Sequence, residues 1–168
     1  MQNDLPKRKP TRLKDYDYSN PGAYFITICT HNKKHLLSKI IAGDGVLDVP
    51  KNQLTEYGII ADKYINQMNN FYDYISIDKY VVMPNHIHLL LSITNIESGT
   101  SGTPSPTNAI VSKVVSTFKR FCNKEYCKNI WQRSYHDHII RGERDYQEIW
   151  EYIDTNVIKW ENDCFYNN

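Results

Sequence analysis

The stretch His86-Ile-His-Leu-Leu-Leu-Ser-Ile93 decides the fold, because its apolar and β-branched residues predict a β-strand. The preceding Tyr74-Ile-Ser-Ile-Asp-Lys-Tyr-Val-Val82 has the same character, and Pro84-Asn85 between the two favours a tight turn. Together they predict an antiparallel hairpin. Side chains two positions apart on a strand share a face, so His86 and His88 should project together while the alternate residues face the core.

Further strands and helices are predicted on both sides of this hairpin. Residues 23–30 and 135–141 have strand composition, whereas residues 52–71, those after Asn108, and 144–157 have apolar positions at helical spacing. The order strand, helix, strand, strand, helix, strand, helix is that of a ferredoxin-like split β-α-β antiparallel sheet with an additional C-terminal helix. The predicted fold class is α+β.

The length of 168 residues suits a single domain. We expect residues 1–22 to form a basic N-terminal arm and residues 23–168 to form the folded domain. Residues 94–108 are dominated by Gly, Ser, Thr and Pro, which predicts a mobile loop. No apolar run approaches the roughly 20 residues that span a bilayer, and no signal sequence is evident, so we expect a cytoplasmic protein without membrane contact.

The formal net charge of +1 hides two basic segments, residues 1–14 and 113–133. A local excess of positive charge attracts polyanions even when the total charge is small. The alternative is that these segments are only solvated surfaces. The candidate DNA-binding residues are Lys7, Arg8, Lys9, Arg12, Lys14, Lys113, Lys119, Arg120 and Arg133.

The pair His86 and His88 is a candidate metal site, because two neutral imidazoles on one strand face can share a divalent ion. We expect them at an open surface of the sheet. The alternative is that they only form hydrogen bonds. The last helix carries Tyr152 with Asn156 one turn later, both on its polar stripe. A tyrosine there has a free hydroxyl for chemistry, unless it simply packs at the margin of the helix.

Three motifs follow one another along the chain: Pro84-Asn-His-Ile-His-Leu89, Trp131-Gln-Arg-Ser-Tyr-His-Asp-His-Ile-Ile-Arg141 and Tyr152-Ile-Asp-Thr-Asn156. In this order they resemble the motifs of the single-tyrosine HUH transposases, and most closely those of the REP-associated branch. The similarity covers nearly the whole chain, so it is far more specific than two histidines alone. It implies a metal-dependent endonuclease and strand transferase for DNA transposition or REP-type hairpin processing.

The resemblance also implies roles for individual residues. His86 and His88 match the metal-binding histidines, and Tyr152 matches the nucleophile that forms a 5′-phosphotyrosine intermediate. Asn156 matches the residue that completes the metal site. Val157 stands where the branch usually has a proline, so the helix can continue here. The implied cofactor is Mg²⁺ or Mn²⁺, and the implied partner is single-stranded or hairpin DNA. A homodimer is a further expectation, and action of the tyrosine in cis or in trans stays open.

Two other functions compete with this prediction. One is a non-catalytic module that binds single-stranded nucleic acid, because split β-α-β folds often do so on their sheet. The other is a metallohydrolase in which the histidines and a carboxylate activate water, and Asp78 on the neighbouring strand is the candidate carboxylate. Tyr152 with Asn156 on the polar stripe distinguishes the transposase-like enzyme from both.

Overall fold

The computed structural model describes residues 20–42, 49–94 and 110–166. Within these ranges the chain forms six strands and three α-helices. The strands are β1 (Gly22–Cys29), β2 (Ser38–Ile41), β3 (Lys51–Leu54), β4 (Ile75–Val82), β5 (His86–Ile93) and β6 (His136–Ile139). The helices are α1 (Glu56–Phe71), α2 (Ile110–Tyr126) and α3 (Glu143–Thr155), and a short 3₁₀ turn (Trp160–Asn162) follows α3.

The central sheet has four strands in the order β4-β5-β1-β6, and all neighbouring strands are antiparallel. β5 therefore lies inside the sheet, between β4 and β1. Its register with β1 sets His88 opposite Thr27 and His86 opposite Cys29. The predicted α+β split β-α-β fold is confirmed.

The two faces of the sheet have different coverings. One face carries Ile87, Leu89 and Leu91 of β5, which join residues of α1 and α2 in the main hydrophobic core. Burial of this apolar surface is the main source of stability for such a layered fold. His86 and His88 point to the other face, which α3 and the residues after it cover. Helices α1 and α2 therefore lie on one side of the sheet, and the histidine pair lies on the other side together with α3.

Helix α1 begins at Glu56, four residues later than the predicted start at residue 52. Lys51–Leu54 pair instead with Ser38–Ile41 in a two-stranded sheet that was not predicted. The Thr55 side chain accepts a hydrogen bond from Gly58 N, which caps the helix at this point. The Thr55 hydroxyl also lies 3.0 Å from Leu37 O, so the cap fixes the helix to the segment before β2.

Two predicted segments lie almost wholly outside the described residues. These are the N-terminal arm at 1–22 and the loop at 94–108, and Asn108, which precedes the predicted second helix, is outside them as well. Among the helices that the structure describes, none is long and apolar enough to cross a membrane.

Candidate metal and tyrosine site

His86 and His88 face each other across the surface of β5. Their Nε2 atoms are 2.9 Å apart, which confirms that the two imidazoles share a strand face. The expected open surface is wrong, because His86 is 0% and His88 is 1% exposed. The cover is aromatic: the Phe165 ring lies 4.7 Å from the His86 ring, and the Phe25 ring stacks on His88 at 4.9 Å. The residues after α3 fold back over the pair.

The Nδ1 atoms of the two histidines, which point away from each other's Nε2, form hydrogen bonds with neighbouring side chains. Asn85 donates from Nδ2 to Phe165 O at 2.8 Å, so its Oδ1 must be the atom 2.8 Å from His86 Nδ1. An amide oxygen only accepts, so His86 Nδ1 carries the proton and His86 Nε2 keeps its lone pair. His88 Nδ1 lies 2.8 Å from the Thr27 hydroxyl, which can either donate or accept. Thr27 therefore satisfies either tautomer of His88.

Burial keeps both imidazoles neutral. It lowers the pKa of His86 to about 4, with a further decrease from the nearby Lys33 charge and an opposing effect of Asp163. Burial also lowers the pKa of His88 well below its ordinary value, and the neighbouring His86 acts in the same direction. Neutral imidazole is the form that binds metal ions. The pair is thus ready to coordinate a cation at neutral pH without losing protons.

Helix α3 brings Tyr152 to the histidine pair. Tyr152 Oη lies 3.3 Å from His88 Nε2 and donates a hydrogen bond to Asp163 Oδ2 at 3.1 Å. The Tyr152 ring meets the Phe25 ring edge-on at 5.8 Å. Burial, reinforced by the negative charge of Asp163, raises the pKa of the Tyr152 phenol well above its ordinary value. The phenol is therefore protonated at neutral pH, with a carboxylate in place to receive its proton.

Contacts with β4 fix the position of α3. Lys79 Nζ lies 2.6 Å from Asp154 Oδ1 and 4.1 Å above the centre of the Trp150 ring. One turn earlier, the Tyr146 hydroxyl donates to Asp78 Oδ2 at 3.1 Å. These contacts hold the helix so that Tyr152 faces the histidines.

Asn156 and Asp163 complete the inner side of the site. Asn156, only 2% exposed, donates from Nδ2 to Asp163 Oδ2 at 3.0 Å. Its Oδ1 is buried and has no hydrogen-bond partner among the described residues. A buried carbonyl oxygen without a partner is costly, so a group that binds it is favoured there.

The donor set fits a divalent cation. Ligand atoms of His86, His88 and Asp163 all lie within 4.8 Å of one another, and the partnerless Asn156 Oδ1 belongs to the same cluster of side chains. Two imidazole lone pairs with carboxylate and amide oxygens form a mixed nitrogen and oxygen site. Asp163 was not predicted from the sequence. It lies beyond α3, in a segment whose composition has no periodic pattern, so no sequence signal pointed to it.

The candidate carboxylate of the metallohydrolase hypothesis lies elsewhere. Asp78 accepts hydrogen bonds from the hydroxyls of Ser92 and Tyr146. It is not part of the group formed with the two histidines in the described ranges. The carboxylate beside the histidines is Asp163.

The described residues include four of the predicted DNA-binding residues. Those of the arm, Lys7, Arg8, Lys9, Arg12 and Lys14, lie outside the described residues. Lys113, Arg120 and Arg133 are exposed. Lys119 is half-buried, and its ammonium donates to Gln132 O at 2.8 Å and Ser134 O at 2.9 Å. Desolvation lowers the pKa of Lys119 to about 8. Its structural role is to hold the loop after Trp131, and its contact with DNA stays a prediction.

Comparison with known proteins gives relatives along most of the chain, although no family model matches it. An uncharacterized protein of Haemophilus influenzae is 34% identical over 174 residues, which cover 95% of this chain and 93% of that protein. The REP-associated tyrosine transposase of Escherichia coli is 29% identical over 142 residues, covering 84% of this chain and 70% of that protein.

The fold of this chain is similar to that of a solved structure. The structure of a REP-associated tyrosine transposase bound to a REP hairpin superposes with a TM-score of 0.61 at 20% identity, covering 89% of this chain and 73% of that chain. The predicted resemblance is confirmed: the chain belongs to one family with the Haemophilus influenzae protein, and it resembles the REP-associated tyrosine transposases in sequence and in fold.

Proposed function

We propose that this protein is a transposase-like enzyme that cuts and rejoins single-stranded DNA, with a divalent metal as cofactor and Tyr152 as nucleophile. The observation that carries the proposal is the position of the Tyr152 hydroxyl, 3.3 Å from His88 Nε2 and 3.1 Å from Asp163 Oδ2. A nucleophilic phenol needs a neighbouring base or metal that activates it. The carboxylate beside Tyr152 can act as the base, and the neighbouring imidazole is one of the proposed metal ligands. The similarity to REP-associated tyrosine transposases supports the same activity.

In this proposal His86 and His88 hold the metal through their Nε2 atoms. Asp163 and the free Oδ1 of Asn156 add oxygen ligands, which suits Mg²⁺ or Mn²⁺. When bound, such an ion polarises the scissile phosphate and neutralises its charge. Asn85 and Thr27 hold the two rings in the orientation that turns both Nε2 atoms inward.

The chain's own residues carry the covalent step. The Tyr152 proton passes to Asp163 Oδ2, and the phenolate oxygen forms a bond to phosphorus. The bond from phosphorus to the 3′ oxygen breaks, and that oxygen takes a proton from solvent to become a free 3′ hydroxyl. The product is a 5′-phosphotyrosine link, which conserves the phosphodiester energy. A 3′ hydroxyl can therefore reverse the step and rejoin the DNA without ATP.

The proposed substrate is single-stranded DNA that can form a hairpin. The related transposase of known structure is bound to a REP hairpin, and exposed basic side chains of this chain offer phosphate contacts. Because Tyr152 lies beside the histidines of its own chain, we propose that it attacks in cis. A homodimer stays a prediction.

A metallohydrolase is the second candidate, and one observation favours it. The cluster of His86, His88 and Asp163 resembles a site in which two histidines and a carboxylate hold an ion that activates water. It differs from the proposed enzyme in its product, because water leaves no covalent link between protein and DNA.

The test is incubation of the protein with single-stranded hairpin DNA, labelled at its 3′ end, in Mn²⁺, in Mg²⁺ and in EDTA. The label then stays on the fragment that the tyrosine captures. Denaturing gels should show a labelled band at the size of the protein plus this fragment, formed with metal and absent in EDTA. Cleavage without this band would support the metallohydrolase, and binding without cleavage would support the non-catalytic module.

A further inference from the structure

Aromatic side chains line the seam between α1 and α2, on the side of the sheet away from Tyr152. Tyr57, Tyr64 and Phe71 are seven residues apart along α1, so they lie on one face of that helix. The rings of Tyr64 and Phe71 lie 5.5 and 5.2 Å from the ring of Phe121 on α2. At the other end of the seam, the rings of Tyr57 and Tyr126 are 4.9 Å apart.

Cationic side chains cover these rings. Lys128 Nζ lies 4.6 Å from the Tyr57 ring centre, and Lys63 Nζ lies 5.0 Å from that of Tyr64. The same arrangement continues with Arg120 over Phe121 at 5.4 Å and Lys113 over Tyr72 at 5.8 Å. We call these four pairs of cation and ring, together with Phe71 beside Phe121, the basic-aromatic strip.

The strip is accessible. All four cations are exposed, and Phe71 at its end is 47% exposed. Glu125 contacts the strip, where it accepts hydrogen bonds from Lys63 and Tyr64, and the exposed acids Glu56 and Asp73 adjoin Tyr57 and Tyr72 in the sequence. Asp62 of the same helix turns to the sheet and accepts from Tyr80. Lys113, Arg120 and Lys128 form no ion pair within the described residues, so the strip keeps positive charge beside the exposed ring of Phe71. The other rings, Tyr57, Tyr64, Tyr72 and Phe121, are half-buried.

These properties select the occupant. Phosphates neutralise the cations, and unpaired bases stack on aromatic rings with little dependence on the base sequence. An acidic peptide would match the charge but would leave the aromatic surface without a partner. From Tyr57 to Tyr72 the helix rises about 22 Å, the length of roughly six nucleotides of a stacked strand at a rise of about 3.4 Å each.

We propose that the basic-aromatic strip binds single-stranded DNA at a place separate from the cleavage site. Because the strip and Tyr152 lie on opposite faces of the sheet, the same phosphate cannot occupy both. The strip would hold DNA that flanks the cleaved segment, and in this respect the inference rests on the proposed function. The charge and the rings of the strip predict that it binds single-stranded DNA even if the protein does not cleave DNA.

The experiment measures binding of a fluorescein-labelled oligothymidylate of 30 nucleotides by anisotropy, over a series of salt concentrations. The double variant Lys113→Glu with Arg120→Glu should bind at least tenfold more weakly, and its salt dependence should be shallower. Phe71→Ala should weaken binding about fivefold or more, because a base loses its stacking partner. The same Phe71 variant should bind a blunt duplex as the wild type does.

Two control variants match these changes. Lys39→Glu, on the exposed side of β2, alters charge away from the strip, and Ile59→Ala removes an exposed apolar side chain (57% exposed) from another face of α1. Both should bind the oligothymidylate within twofold of wild type. Circular dichroism and thermal melting establish that each variant is folded.

Wild-type affinity in the folded double variant, or equal losses in the control variants, would overturn the inference. So would an equal loss of single-strand and duplex binding on Phe71→Ala. Covalent adduct formation at saturating protein separates this outcome from the proposed function. It should persist in Phe71→Ala and in both control variants, and its absence from wild type would count against Tyr152 chemistry without affecting the strip.

Discussion

Tyr152 donates a hydrogen bond to Asp163 across 3.1 Å, although the two residues are eleven positions apart and only Tyr152 lies on α3. The same carboxylate oxygen accepts from Asn156 Nδ2 at 3.0 Å. Its second oxygen accepts from the backbone N–H of Phe165 at 2.7 Å. Asp163 thus joins the tyrosine, the buried amide and the segment that covers the histidines.

Asp163→Asn should reduce covalent adduct formation about a hundredfold or more. The variant keeps the shape of the side chain but removes its negative charge, and loss of a proton acceptor typically costs this much. Single-turnover adduct formation in Mn²⁺ measures the effect. A variant that forms adduct at the wild-type rate would show that this carboxylate neither receives the proton nor binds the metal.

His86→Ala and His88→Ala should both abolish cleavage and should also lower the melting temperature. Both rings are buried, so their removal leaves a cavity, and Asn85 or Thr27 loses a hydrogen-bond partner. Binding of Mn²⁺ by calorimetry should disappear together with activity. His138→Ala is the matched control, because this exposed histidine on β6 forms a hydrogen bond with Asp145 at 2.9 Å and lies outside the group of His86, His88 and Asp163. Normal Mn²⁺ binding by His88→Ala would refute the proposed ligand.

The free energy of unfolding of the metal-free protein should fall as the pH falls from about 6.5 toward about 4. The folded state lowers the pKa of His86 and His88, so in this range the unfolded chain binds more protons than the folded one. Each histidine contributes a slope of up to about 1.4 kcal/mol per pH unit. Urea unfolding in EDTA at a series of pH values between 5 and 7 measures this slope. A flat profile in the wild type would contradict neutral, buried imidazoles.

Gly58→Ala should destabilise the protein by about 1–3 kcal/mol or more, as overpacking does. A Cβ at this position would lie 2.0 Å from Leu37 O, where the start of α1 meets the segment before β2. Gly142→Ala is the control at the start of α3, because a Cβ there meets nothing within 4 Å in the described structure. Equal melting temperatures for the two variants would contradict the close packing at Gly58.

The parts of the site that lie on regular elements could be predicted from the sequence. The two-residue period of a strand puts His86 and His88 on one face, and the helical period puts Asn156 beside Tyr152. The polar character of that helix stripe has a local cause: it faces the histidine pair and not the main core. Periodicity does not tell which side of a sheet is covered, so the burial of the histidines was missed.

Other parts had no such signal. Asp163 reaches the site because the chain turns back after α3, and its contacts depend on tertiary structure alone. The strands Ser38–Ile41 and Lys51–Leu54 have four residues each, too few to show a clear alternation. A lysine in a basic segment is expected at the surface, but the Lys119 ammonium donates hydrogen bonds to two backbone carbonyls. The sequence does not indicate these contacts.

Covalent capture of DNA by Tyr152 tests the central claim most directly. Tyr152→Phe removes one oxygen and keeps the ring that meets Phe25, so folding and DNA affinity should be close to wild type. Tyr146→Phe, in the same helix, removes a hydroxyl that binds Asp78 and serves as the control. With labelled hairpin DNA and Mn²⁺, wild type and Tyr146→Phe should form the covalent adduct, and Tyr152→Phe should form neither adduct nor free 3′-hydroxyl product. An adduct in Tyr152→Phe would contradict the claim.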